Sequence, residues 1–303
     1  MTVTSPTSAA PAKRSTREVV RAYIGLTKPR IIELLLVTTV PTMVVAERGF
    51  PSVWLVVATL IGGALSAGSA NTFNSYLDQD LDEVMQRTKR RPLVNHRVPP
   101  RNALRFGVVL GVASFVWLTA TVNLLAALLA TAAILVYVFV YTIGLKRTST
   151  QNIVIGGAAG CFPVLVGWAA VTGRVEMPAV VLFLVIFYWT PPHFWALAIR
   201  YREDYERAGV PMLPVVVGNA ETARQILLYT LMMVAVSLVF GPVGAMGWIY
   251  LVAAVALGAV FIAYAIRLVR TASEQVAMSL FRYSITYLGL LFTAMAVDAV
   301  VIG

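Results

Sequence analysis

The stretch Gly62-Gly-Ala-Leu-Ser-Ala-Gly-Ser-Ala-Asn-Thr-Phe-Asn74-Ser-Tyr-Leu-Asp78-Gln-Asp-Leu-Asp82 decides how this chain folds. It closes an apolar segment centred near residue 64, long enough to cross a bilayer, and it ends in acids. A hydrocarbon core about 30 Å thick needs roughly 20 apolar residues as a helix, the form that satisfies its own backbone in lipid. Each step of four residues along a helix leaves side chains only about 40° apart, so Asn74, Asp78 and Asp82 share one face. Two carboxylates and an amide there offer hard oxygens of the kind Mg²⁺ accepts, with diphosphate oxygens as further ligands. Asp80 lies about 200° round from Asp78 and is a poor third ligand. Such a cage beside lipid points to a substrate that is part phosphate and part hydrocarbon.

The rest of the 303-residue chain repeats the apolar half of that pattern: 59% of residues are hydrophobic, 13% are charged, and mean hydropathy is +0.79. Soluble domains are about a quarter charged, so a soluble fold is excluded. Nine apolar segments of spanning length centre near residues 40, 64, 112, 135, 162, 190, 234, 258 and 291. The fold expected is all-α, a polytopic transmembrane helical bundle of nine spans with the N-terminus cytoplasmic. Of 24 Lys and Arg, 22 then fall inside, leaving only Arg48 and Arg174 outside. That is the positive-inside asymmetry, and it accounts for the net charge of +10 without a nucleic-acid partner. Nine spans put the C-terminus on the opposite side.

Cys161 is the one cysteine, which excludes an intrachain disulfide and a Cys-based metal site. Residues 1–22 are expected to form a disordered tail, Ser/Thr/Ala/Pro-rich at its start, and residues 23–303 the intramembrane domain. The first thirty residues lack the apolar core of a cleavable signal peptide. Glu18 and the prolines argue against a transit peptide, so a bacterial-type plasma membrane is the expected location. Two charged connections, at about 78–103 and 200–223, each begin with acids at the end of an apolar helix, four spans apart. That spacing suggests an ancient four-helix duplication with one helix left over. The outer loops near 121–124 and 241–247 are short and uncharged, which puts the soluble chemistry on one side. Gly62, Gly63, Ser66 and Gly68, like Gly156, Gly157 and Gly160, are read as close helix packing.

The plain reading of Asp78-Gln-Asp-Leu-Asp82-Glu83 is a solvated helix end. Against it, a helix C-terminus is negative and disfavours four acids without a cation. A carboxylate just inside hydrocarbon also costs up to about 2.5–3.5 kcal/mol and is kept mainly for function. Arg87 and Arg91 follow directly, either as positive-inside charge or as partners for a diphosphate. Lys146 and Arg147 end the fourth span on the same side. Pro191-Pro192-His193 suggests a broken helix around an intramembrane histidine. Arg200 and Asp204 continue that face, as site residues or as a simple i,i+4 ion pair. Aromatics crowd both acidic regions (Phe73, Tyr76, Phe187, Tyr188, Trp189, Phe194, Trp195), as packing or as faces for a carbocation. Glu33 is expected to snorkel to the interface and Asp298 to be solvated.

Asn74-x₃-Asp78-x₃-Asp82 followed by Met85-x-Arg87-Thr88 resembles the UbiA superfamily of intramembrane prenyltransferases. Four further segments resemble the haem O synthase (protohaem IX farnesyltransferase) branch. They are Leu26-Thr-Lys28-Pro-Arg30, Gln151-Asn152-Ile-Val-Ile-Gly-Gly157, Thr190-Pro-Pro-His193-Phe-Trp-Ala-Leu and Asp204-Tyr-x-x-Ala208-Gly209-Val-Pro-Met-Leu-Pro214. The resemblance runs from about residue 23 to the end. Many members carry a second, multiply acidic motif after the sixth helix; here His193-Phe194 stand near its start and Asp204 is the main survivor. That departure puts a second metal site in doubt.

The resemblance implies that farnesyl diphosphate, protohaem IX and water become haem O and diphosphate in a lipid membrane. It further implies Mg²⁺ on Asn74, Asp78 and Asp82, with Asp204 as a further catalytic residue. Substrate contacts would come from Arg87, Arg91, Lys146, Arg147 and Arg200, and His193 would meet the haem iron or orient the ring. A downstream haem-modifying enzyme would be a further partner. Three alternatives stay open: a prenyltransferase with an aromatic or other lipid acceptor, a secondary transporter with a midplane ion site, and an assembly factor. Carboxylates at one membrane face weigh against the transporter, and an iron-ligating histidine would weigh against a phenolic acceptor.

Overall fold

The computed structural model describes residues 15–302, apart from the side chains of residues 30–36. Helix α1, Thr16–Thr27, starts on a reciprocal cap: Ser15 Oγ accepts from Glu18 N at 3.3 Å, and Glu18 Oε2 accepts from Ser15 N at 3.0 Å. Its apolar side buries Ala22 and Leu26 against Leu93, Val98 and Ala103. The expected tail of residues 1–22 is therefore corrected from residue 16 onward, where the chain is helical; residues 1–14 lie outside the described residues. Lys28, at φ 52°, turns the chain into α2, Pro29–Glu47.

The apolar segments then form a series of helices. They are α3, Val53–Leu77; α4, Gln79–Val84; α5, Pro100–Thr121; and α6, Leu124–Leu135, which runs on as a π-helix over Val136–Leu145. Next come α7, Asn152–Gly156, a 3-10 turn over Gly157–Cys161, and α8, Phe162–Thr172. The rest are α9, Met177–Arg200; α10, Arg202–Arg207; α11, Leu213–Val243; α12, Trp248–Thr271; and α13, Glu274–Val301. Eight helical segments among the described residues are long and apolar enough to cross a membrane, with Asn152–Thr172 counted as one. The first of the nine expected spans corresponds to α2, and its residues 30–36, with Glu33, lie outside the described side chains. The other eight expected spans correspond to these eight segments.

Helix α3 packs along α5, α9 along α11, and α12 along α13, while α2 lies between α8 and α13. Aromatic and aliphatic side chains of α9, α11, α12 and α13 form the main core, with Trp195, Phe240, Phe261 and Phe292 almost fully buried. Small residues set the closest approaches: a Cβ on Gly62 would stand 2.3 Å from Leu118 Cδ2, and one on Gly157 2.6 Å from Thr190 Cγ2.

Two further expectations are corrected here. Asp298 is not solvated: it is 1% exposed, and its carboxylate accepts from Gly247 N at 2.6 Å and Tyr250 N at 2.9 Å. It caps the N-terminus of α12, where N–H groups lack intrahelical acceptors and a negative charge is favoured. Helix α9 is also unbroken through Pro191 and Pro192. Packing on both sides keeps the segment helical despite the missing donors. The marked irregularity lies instead in α11 at Gly218, with φ 78° and ψ 172°, a conformation open mainly to glycine.

Candidate active site

The two charged connections meet at one end of the bundle. Helix α3 stops at Leu77, Asp78 takes a non-helical turn (φ −99°, ψ 14°), and α4 restarts at Gln79. The i+4 ladder survives the turn, since Asp78 N donates to Asn74 O at 3.0 Å and Asp82 N to Asp78 O at 2.8 Å. Asn74, Asp78 and Asp82 are all buried, at 3%, 0% and 3% exposure. Carboxylates survive burial when paired, and these are. Asp78 Oδ2 accepts from Asn74 Nδ2 at 2.7 Å and from Lys146, while Asp82 takes Arg91 Nη1 on both oxygens at 2.7 and 2.6 Å. Asn74 Oδ1 accepts from Lys28 Nζ at 2.6 Å, and Asn74 Nδ2 also reaches Thr142 Oγ1 at 3.2 Å. Arg147 sits at the rim, paired with Asp80 and Leu77 O.

Among the described residues no three His, Cys, Asp or Glu side chains form a ready metal cluster. The expected set instead joins one amide to two carboxylates. Asp78 Oδ1 is the informative atom: it is buried with no hydrogen-bond partner, and Arg147 Nη2 stands 4.0 Å away. A buried carboxylate oxygen left unpaired is costly, and a hard divalent cation is the partner its chemistry suits. The cations are crowded too. Burial, then the Arg91 and Lys146 charges, hold the Lys28 ammonium well below the ordinary lysine range, against the opposing pull of Asp82 and Asp78. An arriving polyanion would relieve that crowding.

From this polar end a cavity of about 310 Å³ runs between the helices. Ligand pockets usually hold about 300–1,000 Å³, so this one has the size of a single ligand site. Lys28, Asn74, Asp82, Arg87, Arg91 and Lys146 line its charged mouth. Below them stand Tyr137 and Tyr141 on the π-helix, with ring centroids 5.3 Å apart, then Phe162 and Trp189. Of the aromatics singled out from sequence, Trp189 and Phe194 line the cavity. Tyr137 and Tyr141 were not anticipated. Their signal was present, an i,i+4 aromatic pair running into Lys146 at the end of an apolar span.

Asp204, buried on α10, points toward the loop after α4 and does not line the cavity. It accepts from Gln86 N at 3.4 Å and Arg87 N at 3.3 Å and pairs with Arg207. Arg87 then lies over the rings of Tyr201 and Tyr205, 5.3 and 5.8 Å from their centroids, with Nη2 3.2 Å from Tyr205 OH. Asp204 therefore latches the cationic loop. Burial alone would raise its pKa, but Arg207 and the N–H groups of Arg87 and Gln86 outweigh it and hold the carboxyl below the usual range. A depressed aspartate stabilises the fold above its unfolded value, about 3.9, and that contribution fades as pH falls through the lower folded value. Asp204→Ala is expected to loosen the loop by about 1–3 kcal/mol through unsatisfied N–H groups. Faster amide exchange across residues 85–91 is the readout, and Asp204→Asn, which keeps one acceptor, should restore most protection.

Two other candidates sit apart. Arg200 is exposed and pairs with Glu274 of α13, so neither the cavity contact nor the Arg200–Asp204 ion pair is formed. His193 is buried in the wall between α9 and α13. Its Nδ1 is 2.6 Å from Ser284 Oγ, and its ring stacks between Trp189 at 4.3 Å and Phe281 at 4.6 Å. It does not line the cavity, whereas its neighbours Trp189 and Phe194 do.

The UbiA prenyltransferase family profile matches residues 35–292. The chain is 58% identical over 298 residues to protoheme IX farnesyltransferase 1 of Saccharopolyspora erythraea, covering 97% of this chain and 95% of that protein. In fold it is similar to a solved digeranylgeranylglyceryl phosphate synthase, with TM-score 0.78, 18% identity, and coverage of 93% of this chain and 99% of the other. A UbiA homolog from Archaeoglobus fulgidus, solved bound to DMAPP and Mg²⁺, superposes with TM-score 0.64 at 17% identity, covering 91% of this chain and 99% of that one.

Proposed function

The chain belongs to the UbiA prenyltransferase family, and from that premise we propose that it transfers the farnesyl group of farnesyl diphosphate to a vinyl group of protohaem IX, giving haem O. The observation that carries this reading is the joining of a buried, cation-rich anion site to a mainly apolar cavity of about 310 Å³. One end suits a diphosphate and the other a farnesyl chain, and haem as acceptor rests on the likeness to protoheme IX farnesyltransferases.

Asn74, Asp78 and Asp82 are the residues that would hold Mg²⁺, which when bound would neutralise the diphosphate. The unpaired Asp78 Oδ1 supports that assignment. The chain's own groups do the rest. Lys28, Arg87, Arg91 and Lys146 line the mouth and draw charge from the diphosphate as the allylic C–O bond breaks and the leaving group takes its electron pair. Tyr137 and Tyr141 present aromatic faces to the farnesyl cation, and the apolar wall keeps water from it. The vinyl π electrons form the new C–C bond, and the cation left on the porphyrin side takes oxygen from water and releases a proton. His193 acts from behind the wall, where stacking fixes the Trp189 indole against the acceptor.

The charge asymmetry of the sequence favours a site facing the cytoplasm of a bacterial-type plasma membrane. A haem-modifying enzyme downstream would then receive a product already in the bilayer. The test is reconstitution of purified protein in lipid with farnesyl diphosphate, protohaem IX and a titration of Mg²⁺. The expected product is protohaem plus one farnesyl and one water, formed only with the divalent ion. A prenylated phenol in competition, with haem unchanged, would overturn the acceptor assignment.

A further inference from the structure

Neighbouring glycines on α3 have opposite surroundings. A Cβ on Gly62 would collide with Leu118, whereas a Cβ on Gly63 would meet nothing within 4 Å. Gly63 lines the cavity, as do Thr59, Ser66, Ala67, Ala70 and Asn74 along the same helix. Eleven residues separate Gly63 from Asn74, three turns plus about 20°, so both face the cavity from one stripe, about 16 Å apart along the axis. An extended isoprene unit, four bonds of about 1.5 Å, advances about 5 Å, so three units reach about 15 Å. Gly63 therefore stands where the third unit of a chain anchored at Asn74 ends. Its missing side chain serves substrate space, and the packing role expected of it from sequence belongs to Gly62. Gly160 likewise lines the cavity with nothing within 4 Å of a built Cβ.

Resting on the prenyltransferase reading, we infer that Gly63 is a specificity-determining residue that sets the longest prenyl chain the cavity admits. A side chain there would occupy the space of the third isoprene unit and leave room for two. The test compares wild type, Gly63→Ala and Gly63→Leu with geranyl and farnesyl diphosphates, measuring kcat/KM and the binding of non-reacting thio analogues of both. In Gly63→Leu the farnesyl-to-geranyl ratio should fall roughly ten- to a hundredfold in turnover and in binding, with Gly63→Ala in between. Gly63→Ala meets open space and removes a helix glycine, so it is expected to fold. Gly62→Ala should lose stability without moving the ratio. An unchanged ratio, or equal losses with both donors, overturns the inference. If the wild type binds both analogues but turns over neither donor, the enzymatic reading fails and the binding ratio still decides the role of Gly63.

Discussion

Asp78→Ala is expected to lower turnover by about a thousandfold, the scale on which charge stabilisation by preorganised groups or a bound metal ion operates. Asp78 is the most enclosed acid of the site, at 0% exposure. One oxygen holds Asn74 and Lys146, and the other is buried without a partner. Truncation removes the proposed metal ligand and strands Lys146, whose side chain is 14% exposed. Removing one partner of a buried pair costs about 3–5 kcal/mol when the pair is fully enclosed, so Asp78→Ala should also melt earlier in detergent. Asp78→Asn separates the two losses: it is nearly isosteric and keeps one acceptor for Lys146. It should recover most of the melting temperature and little of the activity. Wild-type turnover in Asp78→Asn would mean that no carboxylate is needed there.

Lys146→Met carries the second large effect. Lys146 ends the π-helix, reaches Asp78 and lines the cavity mouth. It is thus the cation best placed to take up charge on the departing diphosphate. Its loss should reduce turnover by about a hundred- to a thousandfold and raise KM for farnesyl diphosphate. The KM effect distinguishes it from a purely structural change, since Arg91, Arg87 and Lys28 would remain to bind the anion more weakly. Lys146→Arg keeps the charge and should recover part of the activity. An unaltered KM in Lys146→Met would place the diphosphate elsewhere.

Much of this was legible because lipid leaves the chain few choices. An apolar segment ending in Asn74, Asp78 and Asp82 had to be a helix, and its period put the three on one face even though the helix turns at Asp78. Partners far along the chain were not legible. Arg200 pairs with Glu274, 74 residues on, and Asp298 caps a helix that begins about 50 residues earlier. Neither is implied by local spacing. His193 read as a candidate haem contact because Pro191 and Pro192 suggested a break, whereas the stacking of Trp189 and Phe281 that encloses it is tertiary. Gly62 and Gly63 are alike in sequence and differ only in the phase of α3 against the cavity. The offset from Asn74 gives that phase, but the open space beside Gly63 and the Leu118 contact beside Gly62 are tertiary.

The most direct test of the central claim is the haem content of membranes that make this chain and no other haem O synthase. Acid-extracted haems, separated and weighed by mass spectrometry, should include a species heavier than protohaem by one farnesyl and one water, absent in Asp78→Ala and scarce in Lys146→Met. Protohaem alone, with the folded protein and farnesyl diphosphate both present, would contradict the assignment of haem as acceptor.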